Sequence, residues 1–412
     1  MSSPVVKTFE KGTMHHLVEF INMLFSPVTY FFGSVIGFWA MIHYREKWSE
    51  PTFAFKMLVG VIAALGLAMF NDHFREISTK PDNVPIFIMV FSVGFFTWLS
   101  FHQAVVNDRR LAQGQPPVEK ETSDKKVYVW PDLVYIEFIA TIVAGVALLV
   151  WSLCLHAPLE EAATPAWTPN PSKAPWYFLG LQEMLVYYDP WLAGVVFPTM
   201  IIVGLMAIPY IDRNPKGAGY YTFNERKFAI IPFLFGFLIL WVTLIFLGTF
   251  LRGPGWNFFG PFEEWDPHKV LVLNNVNLSE YFWVKLLGVG LPPMILVREL
   301  PGFLVVGFYL IALPPFLSQQ SSFLKWQLTV FEPMMENGFF GKMISWLAVL
   351  PIRFVLSCQA YMEGLLEKLG IVRYGVLMNL ILLMAALPIK MLLRWAFNLK
   401  YIIGIPEFFF NI

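Results

Sequence analysis

Residues 173–185 read KAPWYFLGLQEML, and four prolines fall between Pro165 and Pro175 in and after the lead-in TPAWTPNPS. Proline fixes φ, lacks an N–H and disfavours helix in the residue before it, so the lead-in is predicted to be extended. An amphipathic segment follows and exits through YYDPW into an apolar run at Trp191. A polar, proline-framed segment between two membrane spans is tolerated only where it is buried in protein or lines a cavity. The alternative is an interfacial helix anchored by Trp and Tyr.

The composition of the 412-residue chain predicts an all-α, multi-pass protein of the cell's inner (cytoplasmic) membrane. Hydrophobic residues make up 57% and charged residues 14%, with a mean hydropathy of +0.59. Equal counts of Lys+Arg (29) and Asp+Glu (29) argue against nucleic-acid binding, which needs a basic surface. Aromatic residues reach 17%, which suggests interfacial belts and ring-lined pockets.

The two cysteines and the N-terminal residues carry little further signal. Cys154 and Cys358 lie far apart in apolar contexts and form neither a CxxC nor a CxxCH motif. They therefore predict no disulfide framework and no covalently attached c-type haem. The start MSSPVVKTFEKGTMHH does not resemble a signal peptide, so insertion is expected to use the first membrane helix.

Nine runs are apolar enough to be predicted as membrane spans, since crossing about 30 Å of hydrocarbon takes about 20 mostly apolar residues. They are Phe25–His43, Phe53–Phe70, Val84–Val105, Leu133–Leu155, Trp191–Ile211, Phe228–Phe250, Gly302–Leu317, Met343–Cys358 and Tyr374–Leu393. A further apolar segment, Tyr281–Val297, is interrupted by Lys285 and by Pro292 and Pro293. It is expected either to lie at the interface or to be half-inserted.

Basic loops predict the orientation, because short cytoplasmic loops are enriched in Lys and Arg. The basic residues after the third and fifth spans are Arg109, Arg110, Lys120, Lys125, Lys126, Arg213, Lys216, Arg226 and Lys227. Both loops are therefore predicted to be cytoplasmic, which puts the KAPWYF loop and residues 252–280 on the positive side. With nine spans, the N-terminus is predicted outside and the C-terminus inside.

Four parts follow from this pattern. Residues 1–106 are predicted to form an N-terminal three-helix membrane part. Residues 107–127 contain QGQPP and EKETSDKK and are predicted to be a solvated cytoplasmic linker. Residues 128–251 form a second membrane part, and residues 252–412 add a positive-side loop and further membrane helices.

The second membrane part resembles cytochrome b. TPNPSKAPWYFL is similar to the segment through that family's PEWY motif; Lys173, Trp176, Tyr177, Phe178 and Leu179 match. Pro175 stands where the family has glutamate, so the motif here reads APWY. VYVWPDLVYIEFIATIV, with Asp132, resembles the first helix of the family's C-terminal half. The order of elements over residues 128–251 resembles subunit IV of cytochrome b6f, or the C-terminal domain of cytochrome b in bc complexes.

This resemblance implies a quinol-binding pocket on the positive side of the membrane. Its implied residues are Lys173, Pro175, Trp176, Tyr177, Phe178 and Leu179. The Tyr177 hydroxyl is expected to contact the quinone, with an interfacial belt tyrosine as the alternative. Asp132 takes the place of a residue near a cytoplasmic-side quinone site in the family, and a helix cap is the alternative there.

The departure at Pro175 removes the carboxylate that the family is credited with using as a proton acceptor. Glu183 lies eight residues later, about two helical turns on, and would share a helical face with the motif aromatics. Partial burial would raise its pKa toward the working pH that a general base needs. Glu183 is therefore the predicted substitute base, against the alternative that it caps or anchors the helix.

The histidine pattern predicts that this chain holds no b haem of its own. The seven histidines are His15, His16, His43, His73, His102, His156 and His268. All lie at the ends of predicted spans or in loops, whereas each haem needs two axial nitrogens at membrane depth. By the resemblance, the haems belong to a separate cytochrome b N-terminal chain.

The implied activity is quinol oxidation by a complex, not by this chain alone. The implied partners are the haem-bearing chain, a Rieske iron–sulfur protein, a c-type cytochrome and membrane lipid. The alternatives are a membrane transporter with broken helices and a structural membrane anchor. The positive-side loop RGPGWNFFGPFEEWDPHK holds aromatics at Trp256, Phe258, Phe259, Phe262 and Trp265. These rings predict either a partner surface or a packed cap.

Overall fold

The computed structural model describes residues 16–122, 128–155, 162, 164–166, 168–212, 221–269, 274–332, 341, 343 and 345–412. Predicted features at His15, Lys125, Lys126, His156, Arg213 and Lys216 lie outside these residues. Packing divides the chain into two compact units, Met1–Met184 with Asn214–Val272 and Leu185–Arg213 with Leu273–Ile412. Each unit therefore combines two separated stretches, and the predicted part 128–251 contributes helices to both.

The described residues are almost entirely helical. The helices are α1 (His16–Leu24), α2 (Pro27–His43), α3 (Arg45–Trp48), α4 (Pro51–Ala68), α5 (Asp72–Thr79), α6 (Val84–Ala112), α7 (Val118–Thr122), α8 (Val129–Cys154), α9 (Trp176–Met184), α10 (Leu192–Ile211), α11 (Phe223–Phe250), α12 (Leu278–Glu280), α13 (Ile295–Arg298), α14 (Leu300–Leu317), α15 (Ser322–Phe331), α16 (Leu350–Leu369) and α17 (Ile371–Phe397). One short hairpin pairs β1 (Gly404–Ile405) antiparallel with β2 (Phe410–Asn411).

Proline and asparagine set several helix starts. Pro27 and Pro51 occupy first positions, where the missing N–H has no helical partner to lose. Asn71 caps α5 by accepting a hydrogen bond from the Phe74 N–H at 2.9 Å. These local signals place each helix start next to a short polar turn.

Seven helices of the described chain are long and apolar enough to cross a membrane: α4, α6, α8, α10, α11, α14 and α17. The pair α1 and α2 makes an eighth span if its 67° bend falls within one crossing. The protein is therefore a multi-pass membrane protein, and the predicted number of nine is close.

The predicted span Met343–Cys358 accounts for the difference. Within the described residues, that run enters α16, which also carries Arg353, Glu363, Glu367 and Lys368. The described part of this run is not among the seven spans, and residues 342 and 344 lie outside the described residues. The predicted span Met343–Cys358 therefore stays a prediction. Tyr281–Val297 does not span, because it forms two short helical turns around a non-helical stretch.

The end of α17 lies beside the start of α10 within the second unit. Val276 pairs with Leu399 in a parallel bridge, and the Tyr401 hydroxyl donates to Asp189 Oδ1 at 3.2 Å. Asp189 belongs to the exit of the KAPWYF loop, so these contacts hold the C-terminal residues beside that exit. The predicted side of the C-terminus stays a prediction.

Gly302 in α14 marks where the C-terminal residues pack most tightly. A methyl group at Gly302 would overlap the Ile402 carbonyl oxygen and lie 2.8 Å from Ile403 Cγ1. We expect Gly302→Ala to lower the free energy of unfolding by about 1–3 kcal/mol, because the overlapping atom is backbone and cannot rotate away. Thermal unfolding of the purified protein measures this effect.

Gly307 in the same helix is the matched control, because a methyl group there would meet nothing within 4 Å. Gly307→Ala should leave stability unchanged or raise it by up to about 1 kcal/mol. Equal unfolding temperatures for the two variants would contradict the packing described for Gly302.

Candidate functional site

Helix α9 begins directly after Pro175 and crosses the end of α11 at two glycines. A methyl group on Gly248 would lie 3.1 Å from Leu179 Cγ, and one on Gly180 would lie 3.3 Å from Ile245 Cγ1. Both distances are closer than ordinary van der Waals contact. The absence of side chains at both positions therefore lets α9 pack directly on α11 and fixes where the APWY residues stand.

The extended lead-in folds back along α9 and is held by side-chain amides. Gln182 Oε1 accepts from the Ala174 N–H at 2.7 Å, while its Nε2 donates to the Ser172 carbonyl at 2.9 Å. Asn170 Oδ1 accepts from the Gly255 N–H at 2.6 Å. These bonds satisfy backbone groups that proline-rich chain cannot pair within itself, and they fix the position of Lys173.

Glu183 is the most deeply buried charged group of this region, with 0% of its surface exposed. Arg252 donates to it twice, from Nη2 to Oε1 at 2.7 Å and from Nε to Oε2 at 3.0 Å. Trp256 Nε1 donates to Oε2 at 3.0 Å. This arrangement gives the buried carboxylate both a cation and an additional donor, as buried charges require.

This geometry gives Glu183 a role that the sequence did not suggest. The ion pair ties α9 to the loop after α11, since Arg252 Nη1 also donates to the Trp256 carbonyl at 3.0 Å. Gly255 makes the turn possible, because its φ of +66° is one that residues with side chains rarely adopt. Proton acceptance by Glu183 stays a prediction beside this structural role.

Lys173 lies half-buried under the same loop. Its Nζ donates to the Thr249 carbonyl at 2.6 Å and stands 5.0 Å from the centroid of the Trp265 ring. Burial lowers the pKa of Lys173 to about 7, with Lys80 and Arg252 adding repulsion that the attraction of Glu183 opposes. The amine is therefore poised to change charge near neutral pH.

Two aromatic side chains of the motif face away from this packing. Tyr177 is 49% exposed and Phe178 is 53% exposed, with ring centroids 4.8 Å apart. Leu179, by contrast, is buried in the contact with Gly248. The motif therefore exposes Tyr177 and Phe178 on one face of α9, while the face with Leu179 packs on α11.

Residues 162–252 match the family model described as cytochrome b (C-terminal)/b6/petD. Over these residues the chain is similar to the C-terminal part of cytochrome b. This segment contains every residue of the site described so far except Lys80, Gly255, Trp256 and Trp265. The resemblance carried by the APWY region is therefore confirmed at the level of the family.

One curated relative is the "Menaquinol:cytochrome c reductase cytochrome c subunit" of Geobacillus thermodenitrificans. It is 29% identical over 120 residues, which cover 27% of this chain and 48% of the relative. The chain thus spans about half the length of this relative. No solved structure matches the chain significantly.

Asp132 stands apart from the cytochrome b segment's APWY site. It is exposed in the first turn of α8, and the α-helical part of α8, Val134–Cys154, is about 32 Å long at 1.5 Å per residue. The APWY residues follow the far end of that helix. A quinone site at Asp132 on the other side of the membrane stays a prediction.

The loop after the cytochrome b segment is a packed cap. All five of its aromatic side chains are buried or half-buried, and Phe259 has no exposed surface. A methyl group on Gly253 would lie 2.6 Å from the Phe259 ring, and Phe262 packs on Phe74 with centroids 5.5 Å apart. The alternative of an exposed aromatic partner surface is therefore not supported.

Two of the described histidines, His43 and His102, make structural contacts. His102 Nδ1 bonds to the Ser49 carbonyl at 3.0 Å, and His43 stacks on Trp39 with centroids 5.0 Å apart. Within the part of the chain that the structure describes, no three His, Cys, Asp or Glu side chains are grouped as metal ligands. The location of the b haems in another chain stays a prediction.

Proposed function

We propose that this chain is a subunit of a membrane quinol-oxidising complex of the cytochrome bc or b6f type. The observation that carries the proposal is the APWY helix of a cytochrome b C-terminal segment, fixed on α11 with Tyr177 and Phe178 exposed. The name of the Geobacillus relative, a menaquinol:cytochrome c reductase subunit, supports the same reaction class.

The residues of the proposed pocket have different roles, depending on whether they face outward or pack inward. Tyr177 and Phe178 contact the quinol head group. The Tyr177 hydroxyl is the hydrogen-bond partner, and the Phe178 ring is the stacking surface. Trp176 and Leu179 pack inward and hold the helix in place. Pro175 starts the helix, and Lys173 places its amine beneath the loop, where it donates to the Thr249 carbonyl.

The proposed partners follow from what the reaction needs. One electron from quinol passes to a Rieske iron–sulfur protein and on to a c-type cytochrome, and the other passes to b haem in a separate cytochrome b chain. Helix α8 has the surface for such a partner or for lipid, since none of its most apolar window is buried. The complex is proposed to lie in the cytoplasmic membrane.

Affinity purification through a tag on this chain tests the assignment. The purified complex should contain a haem-bearing cytochrome b chain, show a b-type haem spectrum and oxidise menaquinol. Recovery of the folded chain without haem and without quinol-oxidising activity would leave the transporter or anchor alternative in its place.

Phe178→Ala is expected to raise the KM for quinol about tenfold with little change in assembly. Removing the ring's contact costs about 1.5 kcal/mol, and about 1.4 kcal/mol corresponds to a factor of ten. Phe95→Ala is the matched control, because Phe95 is also 53% exposed but lies on α6. Steady-state kinetics on membranes measure both; equal KM values would argue against contact between Phe178 and quinol.

A further inference from the structure

Two lysines of the first unit make the same kinds of contact but differ in one partner. Lys269 Nζ stands 4.2 Å from the Phe259 ring centroid and donates to the Phe258 carbonyl at 2.9 Å. It also pairs with Glu263 Oε1 at 2.7 Å. Lys173 likewise contacts a ring, that of Trp265, and a carbonyl, that of Thr249. Among the described residues, however, no carboxylate lies within ion-pair distance of it.

The nearest carboxylate is already engaged. Glu183 accepts both hydrogen bonds of the Arg252 fork, so its charge is largely balanced by that guanidinium. The other charged groups that act on Lys173 are Arg252 and Lys80, which are both cationic. A buried ammonium with cations as neighbours is costly, so this position favours the neutral amine.

The neutral amine keeps its structural contact and gains a lone pair. An amine N–H can still donate to the Thr249 carbonyl, while the nitrogen lone pair becomes free to accept a proton. The side chain is half-buried, so part of it stays exposed. Lys173 also lies only two residues before Pro175, where the family's proton-accepting carboxylate is missing.

We propose that Lys173 is the general base that accepts the first proton of bound quinol, in the position left vacant by Pro175. The step breaks a quinol O–H bond and forms an N–H bond on Nζ. Loss of this proton and of one electron to a one-electron acceptor of the complex leaves a neutral semiquinone. The semiquinone gives its remaining O–H proton to water and its electron to the second one-electron acceptor, which completes the quinone. The ammonium of Lys173 then releases its proton to water on the positive side. This inference rests on the proposed quinol-oxidising function.

The pH dependence follows from the charge state. With a pKa near 7, the fraction of neutral Lys173 is nearly complete above pH 8 and falls about tenfold per unit below pH 6. Quinol oxidation by the parental complex should therefore lose rate as the pH falls through about 7. This loss of rate at low pH, the acid limb of the pH–rate profile, is the behaviour expected if Lys173 is the general base.

Lys173→Arg gives the sharpest test in the assembled complex, because arginine keeps the cation and the donors but cannot become neutral. We expect kcat to fall by about 10²–10⁴-fold and the acid limb to disappear, with KM for quinol changed little. Lys173→Gln, which keeps a donor for the Thr249 carbonyl, should lose the rate similarly and serves if the arginine does not fit. Lys269→Arg is the matched control and should keep both the parental rate of quinol oxidation and the acid limb of the pH–rate profile.

A complex with Lys173→Arg that retains the parental rate and acid limb overturns the inference and leaves Lys173 as a structural cation. Retention of rate by Lys173→Gln does the same. The proposed function fails separately, if the parental complex does not oxidise quinol. The two failures are thus distinguished by the activity of the unmodified complex.

Discussion

Replacing Arg252 with methionine is expected to destabilise the first unit by about 3–5 kcal/mol, since it leaves Glu183 buried without its cation. The guanidinium supplies two of the three hydrogen bonds that Glu183 is seen to accept and joins α9 to the loop after α11. Equilibrium unfolding of the purified protein in mixed detergent micelles measures the loss.

Two further variants control this prediction. Arg75→Met removes an exposed ion pair with Asp72, whose side chains are 54% and 89% exposed, and should cost at most about 1 kcal/mol. The double variant Arg252→Met with Glu183→Gln removes both buried charges and should recover part of the loss. If Arg252→Met is no less stable than Arg75→Met, the ion pair does not hold the site together.

The single variant Glu183→Gln separates the two roles considered for Glu183, that of a general base and that of the partner of Arg252. If Glu183 is the general base, Glu183→Gln should slow quinol oxidation by about 10²–10⁴-fold in a stable, fully assembled complex. As the partner of Arg252, the same change should lower stability and assembly, while the rate per assembled complex stays near the parental value. The activity normalised to the haem content of the complex decides between them.

Gly248→Leu is expected to lower quinol oxidation about 100-fold, because a side chain there pushes α9 off α11. A Cβ atom alone would lie 3.1 Å from Leu179 Cγ and 3.4 Å from the Leu179 carbonyl oxygen. A displacement of about 1 Å at a reacting site costs about two orders of magnitude in rate. Turnover per assembled complex is the quantity to measure.

Gly94→Leu is the control for Gly248→Leu, because Gly94 lies in α6 and a methyl group there meets nothing within 4 Å. This variant should assemble and turn over quinol at the parental rate. Parental turnover in Gly248→Leu would mean that the position of α9 on α11 does not matter for the reaction.

The sequence predicted the membrane helices well where a run was uniformly apolar, as in α8 and α11. The predicted span Met343–Cys358 is less uniform, because it carries Arg353 and continues in α16 toward Glu363, and it stays a prediction. The sequence also could not give the pairing of Val276 with Leu399, which lie 123 residues apart in the chain. Local hydropathy reports length and composition, whereas such pairings depend on tertiary packing.

The partner of Glu183 shows the same limit within the site. The sequence singled out Glu183 from its spacing to the APWY aromatics, but not Arg252, which lies 69 residues later. One signal was available: a carboxylate on the packed face of a helix needs a cation, and Arg252 directly follows an apolar span. The GPG turn after it then brings Trp256 onto the same carboxylate.

Photoaffinity labelling with an azido-quinone tests the central claim most directly, since it locates the quinone on the chain without relying on rates. In the purified complex, we expect labelling of this chain within residues 173–179, reduced by excess unlabelled menaquinol and weakened by Phe178→Ala. Labelling confined to other segments, or labelling of residues 173–179 that menaquinol does not reduce, would contradict a quinol pocket at the APWY helix.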